Sequence, residues 1–167
     1  MMYQGIIISG TDMTECYEIA KNLELSQSYK IVRVGSNSKK KECYHYIEAP
    51  ELARIENKCF LIKIEFDGEI IAIFMQAVNE VIEKKMVPLI IIDKKVVNVI
   101  EEFSKATLDL MSFYIYNETK ENEGKSARDI KILSSERNRL INKFNYGLNN
   151  KSSLDVVALI DKLWYLR

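Results

Sequence analysis

Three short apolar runs recur along the chain, and each leads into a segment with helical spacing. The runs occupy residues 5–9, 88–92 and 110–116. Runs of this length without polar alternation are typical of strands buried on both faces of a parallel sheet. Because parallel neighbours need a crossover, usually a helix, the alternation predicts βα units with helices on both faces of the sheet. We therefore expect an α/β fold.

A different pattern interrupts this alternation. Residues 29–34 predict a second core strand, and residues 44–47 predict a short one. Residues 60–66 and 69–73 then predict a hairpin, because Asp67-Gly68 between them is a strong turn signal. We expect one domain over residues 1–167. Its core spans residues 1–35 and 74–167, and a small antiparallel β insertion spans residues 36–73.

Helical spacing predicts five helices, the first from Met13 and the others near residues 74–82, 96–103, 126–141 and 152–164. Ser126, with Asp129 three residues later, predicts a capped start for the fourth. Residues 117–125 are polar, and we expect them to be mobile. The core side of the last helix is predicted at every third or fourth residue, namely Leu154, Val157, Ile160, Leu163 and Trp164.

Charge and cysteine usage exclude several function classes. Lys+Arg and Asp+Glu number 24 each, so the net charge of +0 gives no basic field for nucleic acid or an anionic membrane. No apolar run approaches a membrane span, and no basic leader precedes one. The 3 cysteines are widely spaced, which is typical of free thiols in a reducing compartment. We expect a cytoplasmic protein without a nucleic-acid or membrane partner. With His45 the only histidine, we expect no metal site.

Ligands of open α/β sheets bind at the carboxyl ends of the strands. The segments that follow the predicted strands are therefore candidate sites. They are residues 10–15, residues 35–41, Asp93, and Asn117 onward.

An ordered series of local motifs spans nearly the whole chain. The first strand ends at Gly10, Tyr44 follows a run of lysines, and a Phe-Leu pair at residues 60–61 precedes Glu65 and Gly68. An apolar strand then ends at Asp93, and residues 144–150 read F-N-Y-G-L-N-N. In this order the series resembles the guanylate kinase family. The resemblance implies the fold of the P-loop nucleoside monophosphate kinases, with a lid-like segment at residues 117–128.

The resemblance also implies roles for individual residues. Tyr44 would contact the phosphate of GMP and Glu65 the guanine edge, where a carboxylate suits the adjacent N–H donors. Asp93 would lie near the phosphates and the metal. The remaining implied contacts are Gly10 in the phosphate loop, Lys39 and Lys41 near the monophosphate, and Arg128 or Lys131 as a lid cation. ATP and magnesium are implied only if the chain is an active kinase.

The phosphate loop departs from this pattern. Such a loop needs G-x-x-x-x-G-K-[ST], whereas the chain reads G-T-D-M-T-E-C-Y from Gly10. Glu15 stands at the second glycine, Cys16 at the lysine, and Lys21 lies too far along the helix. Asp12 and Glu15 predict a helix cap with a capping-box partner. Two carboxylates would then occupy the place of a phosphate and repel it.

Simpler explanations exist for each implied contact. Asp93 suits a helix cap, Tyr44 and Glu65 suit ordinary strand positions, and the lysines at residues 39–41 suit a solvated loop. The first functional hypothesis is a catalytically impaired guanylate-kinase-like domain that binds a guanine nucleotide or a protein partner. The second is an active guanylate or nucleoside monophosphate kinase with an atypical phosphate loop, using Lys21 or a lid cation. The third is a distant P-loop fold with another small-molecule role.

Overall fold

The computed structural model of the chain describes residues 2–39, 44–96 and 108–167. Its larger sheet consists of parallel strands. In sheet order they are β2 (Tyr29–Val32), β7 (Val87–Ile91), β1 (Gly5–Gly10), β8 (Leu110–Tyr116) and β9 (Tyr146–Asn149). Every residue of the central strand β1 is buried. This burial confirms that the unbroken apolar run is a strand covered on both faces.

Helices flank this sheet as the alternation predicts. The helices of the core are α1 (Met13–Glu24), α3 (Met75–Glu83), α4 (Glu118–Asn122), α5 (Ala127–Ile141) and α6 (Ser153–Leu166), whereas α2 (Ala49–Arg54) belongs to the insertion and packs there through Leu52. Helices α1 and α6 pack on one face of β1, against Ile6 and Ile8. Helix α3 packs on the other face, against Ile7. The fold is therefore a parallel sheet between two layers of helices.

The insertion forms a second, four-stranded sheet. In sheet order its strands are β4 (Tyr44–Tyr46), β3 (Val34–Ser36), β6 (Glu69–Phe74) and β5 (Phe60–Phe66). The predicted hairpin is confirmed, since β5 and β6 pair antiparallel around Asp67-Gly68. The sheet as a whole is mixed rather than antiparallel, because β3 pairs in parallel with β4.

The single strand predicted over residues 29–34 is divided between the two sheets. Val32 pairs with Ile90 in the larger sheet, whereas Val34 pairs with Tyr44 in the smaller one. Both valines are buried, so the residue pattern is continuous across the boundary. The first strand ends because the pairing partner changes, and the first partner, Ile90, lies far away in the sequence.

Two further expectations are wrong. Residues 118–122, expected to be mobile, form α4, whose first turn is capped by Asn117 accepting from the backbone N–H of Lys120 at 3.0 Å. Leu154, predicted on the core side of α6, is 70% exposed. The buried residues of α6 recur every fourth position, at Val156, Ile160 and Trp164, and they place Leu154 outside.

The helix predicted from Val96 onward falls outside the described residues, apart from Val96 itself. That residue ends a short 3-10 helix, Lys94–Val96. A second one, Asn57–Cys59, precedes β5. No helix in the described ranges is long and apolar enough to cross a membrane.

One partly buried hydrogen bond joins the edge strand of the larger sheet to α6. The Tyr29 hydroxyl, on β2, donates to Asp161 Oδ1 at 2.6 Å, and the ring is 1% exposed. Burial, followed by this bond to a carboxylate, raises the pKa of Tyr29 above its ordinary value of 10.0. The folded state therefore holds the phenol neutral where the unfolded chain would ionise it.

We expect Tyr29→Phe to lower the free energy of unfolding by about 1.5–3 kcal/mol at neutral pH, because it removes a hydrogen bond to a charged group. Since the folded pKa of Tyr29 is raised, its contribution is complete below about pH 10 and declines as the pH rises further. The difference between wild type and variant should thus narrow in alkali. Urea denaturation from neutral to alkaline pH measures this, with Tyr46→Phe, at a partly exposed site, as control. A difference that grows with pH would contradict the assignment.

Candidate functional site

The carboxyl ends of β1, β7 and β8 lie along one edge of the larger sheet. Gly10 ends β1, Asp93 follows β7, and Asn117 follows β8. The turn between β1 and α1 is held against β8, because the Thr11 N–H donates to the Ile115 carbonyl at 3.0 Å. This edge is where an open α/β sheet binds its ligands, so we consider it the candidate site.

Asp12 caps helix α1. Its Oδ1 accepts from the backbone N–H of Thr14 at 2.9 Å and of Glu15 at 3.4 Å. The predicted cap is confirmed. Free N–H groups at a helix start are the ones that bind a phosphate in other proteins. Here two of them are already satisfied by a carboxylate of the chain itself.

Glu15 does not act as the expected capping-box partner. Its Oε1 accepts from Lys120 Nζ at 2.7 Å, and the side chain of Glu15 is only 13% exposed. The hydrogen bond and the opposite charge of Glu15 raise the pKa of Lys120. Since Lys120 lies on α4, the ion pair connects the lid-like segment to the start of α1.

A second contact joins the same two elements. Thr11 Oγ1 donates to Glu121 Oε1 at 2.6 Å, and Arg137 Nη1 of α5 donates to the other oxygen of Glu121 at 3.1 Å. The guanidinium of Arg137 also lies 4.8 Å from the centre of the Tyr116 ring. We call the pairs Thr11–Glu121 and Lys120–Glu15 the α4 latch, because they hold α4 over the β1–α1 turn.

The latch borders a cleft of about 400 Å³. Its lining consists of Thr11, Asp12, Met13, Glu15, Asn117, Lys120 and Glu121. Three carboxylates and one ammonium group therefore face this space. The charge balance of the residues that line the cleft is therefore negative.

Two of the predicted site residues, Tyr44 and Asp93, are brought together. The Tyr44 hydroxyl accepts from the backbone N–H of Asp93 at 2.8 Å, and the two residues are 7% and 8% exposed. Asp93 Oδ1 in turn accepts from the N–H of Lys95 at 2.9 Å. Asp93 thus caps the short 3-10 helix, and Tyr44 fastens the insertion to the end of β7.

Glu65 lies apart from this pair. Its neighbour Ile64 packs with Tyr44 on the inner face of the small sheet. Lys63 is on the outer face, where its Nζ donates to the Leu52 carbonyl at 3.4 Å. Successive side chains of a strand point to opposite faces, so the exposed Glu65 shares the outer face with Lys63. A role of Glu65 at the guanine edge stays a prediction.

The predicted cations are dispersed. Arg128 and Lys131 are exposed on the first turns of α5. Lys39 lies 5.0 Å above the Tyr46 ring, and Lys21 lies 4.7 Å above the Tyr17 ring. Lys41 is outside the described residues. Within the described ranges, no group of three or more His, Cys, Asp or Glu side chains is arranged to hold a metal ion.

Sequence reasoning named the two segments that meet at this edge, residues 10–15 and Asn117 onward, but missed the contacts between them. Thr11 is 110 positions from Glu121, and Glu15 is 105 positions from Lys120. Arg137 also gave no local signal, because a single arginine on an amphipathic helix resembles any solvated position. The clustering of four acidic residues around the turn and α4, with so few basic ones, was the only available indication.

No protein-family model matches the chain, and no curated protein matches it. Solved structures do match. The crystal structure of guanylate kinase from Anaplasma phagocytophilum superposes with a TM-score of 0.66 at 13% sequence identity. The match covers 99% of this chain and 86% of that one. The chain therefore has a guanylate-kinase-like fold, and a likeness at this identity shows the fold alone.

Gly10 is required by packing, whether or not a phosphate ever binds. A Cβ at this position would lie 2.3 Å from the Ile115 carbonyl oxygen and 2.8 Å from Cys16 Sγ. We expect Gly10→Ala to cost about 3 kcal/mol or more, because backbone cannot yield as a side chain does. For a domain of this size the melting temperature should fall by about 6–12 °C.

Gly124→Ala is the matched control for Gly10→Ala. A Cβ at Gly124 meets nothing within 4 Å, although φ is +68° there. Its cost is confined to backbone strain, about 1–2 kcal/mol. Equal melting temperatures for the two variants would contradict the packing requirement at Gly10.

The cap can be tested separately from its charge. Asp12→Asn keeps an acceptor for the two N–H groups and should change stability by less than about 0.5 kcal/mol, whereas Asp12→Ala should cost about 1 kcal/mol. Urea denaturation of the two variants measures the difference. Similar losses in both would mean that the charge of Asp12, rather than its hydrogen bonds, stabilises the start of α1.

Proposed function

We propose that this chain is a guanylate-kinase-like domain that does not transfer phosphoryl groups and acts by binding, with a protein partner favoured over a guanine nucleotide. The observation that carries the proposal is the capped and latched turn after β1. Asp12 satisfies the helix start, and Glu121 and Lys120 of α4 are bonded to Thr11 and Glu15. The same turn would have to cradle the phosphates of ATP in an active kinase.

Charge supports the loss of the triphosphate site. Phosphoryl transfer depends on positioning and on neutralising the charge of the transferred group. The lysine position of the loop holds Cys16, which is fully buried. The ammonium group that lines the cleft, Lys120, is already paired with Glu15, and Arg137 is paired with Glu121.

The positions of Tyr44 and Glu65, the residues implied for GMP, support a protein partner over GMP. The Tyr44 hydroxyl, which would meet the monophosphate, is a buried acceptor for the Asp93 N–H. Glu65, which would meet guanine, lies on the outer face of the small sheet. A single GMP molecule on the inner face would therefore find Tyr44 already engaged and Glu65 turned away.

The test is ADP formation from ATP, magnesium and GMP, measured beside thermal shifts for each nucleotide. We expect no turnover and no shift with ATP, because the turn offers carboxylates instead of a lysine. We expect no shift with GMP for the reasons given above.

Each contrary result has a definite meaning. Turnover that disappears in Asp93→Asn would establish the active-kinase alternative and refute the proposal. A GMP shift that Glu65→Ala abolishes would replace the protein partner with a guanine nucleotide.

A further inference from the structure

Strand β5 is the outermost strand of the small sheet. One of its edges pairs with β6 from Phe66↔Glu69 to Phe60↔Phe74. Among the described residues, no strand pairs with its other edge. An unpaired edge presents a row of backbone donors and acceptors and is a template for a further strand.

The hairpin turn decides which residues offer those groups. Asp67 and Gly68 have φ of 48° and 76°, the signs of a two-residue type I′ turn. The pair that closes such a turn exchanges both backbone hydrogen bonds, and the pattern alternates along the ladder. Phe66 and Ile64 therefore direct their backbone groups to β6. Glu65 and Lys63 direct theirs to the open edge.

Side chains divide the same strand into a charged and an apolar face. Lys63 and Glu65 are exposed on the outer face. Ile62 and Ile64 lie on the inner face, and Phe66 continues their row with 41% of its surface exposed. The strand thus carries one cation and one anion, two residues apart, next to an apolar row that is incompletely covered.

We propose that two copies of this chain associate by antiparallel pairing of β5 about a two-fold axis at Ile64. This register places Lys63 opposite Glu65 of the second copy, and Glu65 opposite Lys63, so that both outward-facing pairs are of opposite charge. Opposite charges that face each other across strands stabilise a sheet. Ile64 of one copy then lies opposite Ile64 of the other.

Neighbouring registers are excluded by charge or by backbone direction. An axis at Lys63 would place two lysines opposite each other, and an axis at Glu65 would do the same with two glutamates. A two-fold axis midway between two residues would place a residue whose backbone groups point to the open edge opposite one whose backbone groups point to β6, so the two could not exchange hydrogen bonds. Among these registers, only the axis at Ile64 makes the strand complementary to itself, as a closed two-fold interface requires.

The same register covers apolar surface. Phe66 lies opposite Ile62 of the second copy, on the face where both are apolar. A lysine on an edge strand usually prevents pairing, since an incoming strand seldom offers an acid at that position. In the proposed register, Glu65 of the second copy supplies the acidic residue opposite Lys63. The inference depends only on β5 and not on the β1–α1 turn or the α4 latch.

Sedimentation of the full chain over a wide concentration range tests the proposal. We expect a reversible monomer–dimer equilibrium for the wild type. Lys63→Glu and Glu65→Lys should each raise the dimer dissociation constant at least about tenfold, because each sets like charges opposite each other in both pairs. Lys162→Glu makes the same charge change at an exposed position of α6 and should leave the dissociation constant unchanged.

Mixing the two β5 variants distinguishes the interface from a folding defect. One variant then carries an acidic strand and the other a basic strand, and the mixture should associate at least as tightly as the wild type. A wild type that stays monomeric at every concentration would overturn the proposal. So would a dimer that neither variant weakens, or a mixture that does not associate.

Discussion

The close contact between the ends of β1 and β8 is the constraint on which the site depends. Gly10 leaves no room for a Cβ beside the Ile115 carbonyl, and the Thr11 N–H bonds to that same carbonyl. Because β1 is buried throughout, it cannot shift away from β8 without opening the core. The contact fixes the β1–α1 turn directly beside Asn117 and α4. The capped helix start and the α4 latch are both built on this position.

Within the latch the two contacts are of unequal weight. Lys120 is 65% exposed, and a solvent-exposed ion pair of this kind contributes little to stability. Glu121 and Arg137 are 13% and 10% exposed, and Arg137 also covers the Tyr116 ring. Removing either partner of the Glu121–Arg137 pair would leave the other charge buried without a partner, which is destabilising. The Glu121–Arg137 pair therefore fixes α4 against α5, and the same carboxylate of Glu121 accepts from Thr11 of the turn.

The inner face of the insertion packs into the core of the domain, whereas no described strand pairs with the outer edge of β5. Tyr44, Ile62 and Ile71 share one apolar cluster with Val78 of α3 and Ile90 of β7. The hydroxyl of Tyr44 is satisfied within the chain by Asp93. The outer face carries a second apolar cluster, in which Leu52 of α2 packs with Phe60 and Ala72, so the β5 edge is the part of the small sheet that stays open among the described residues. Binding of another chain at that edge would leave the β1–α1 turn untouched.

The sequence by itself determined the α/β class, the hairpin at Asp67-Gly68 and the caps at Asp12 and Ser126. Each depends on neighbours a few positions apart, whose hydrophobic period and hydrogen bonds act before any long-range contact forms. It did not determine the break between Val32 and Val34, because both residues suit a buried strand and only the pairing partner differs. It also gave Glu15 the wrong partner. The capping-box pattern predicts a bond with the nearby Asp12, whereas Glu15 accepts from Lys120, which lies 105 positions along the chain. Only the tertiary structure decided the latch, the separation of Glu65 from Tyr44, and the open edge of β5, since each is a relation between elements that no local period encodes.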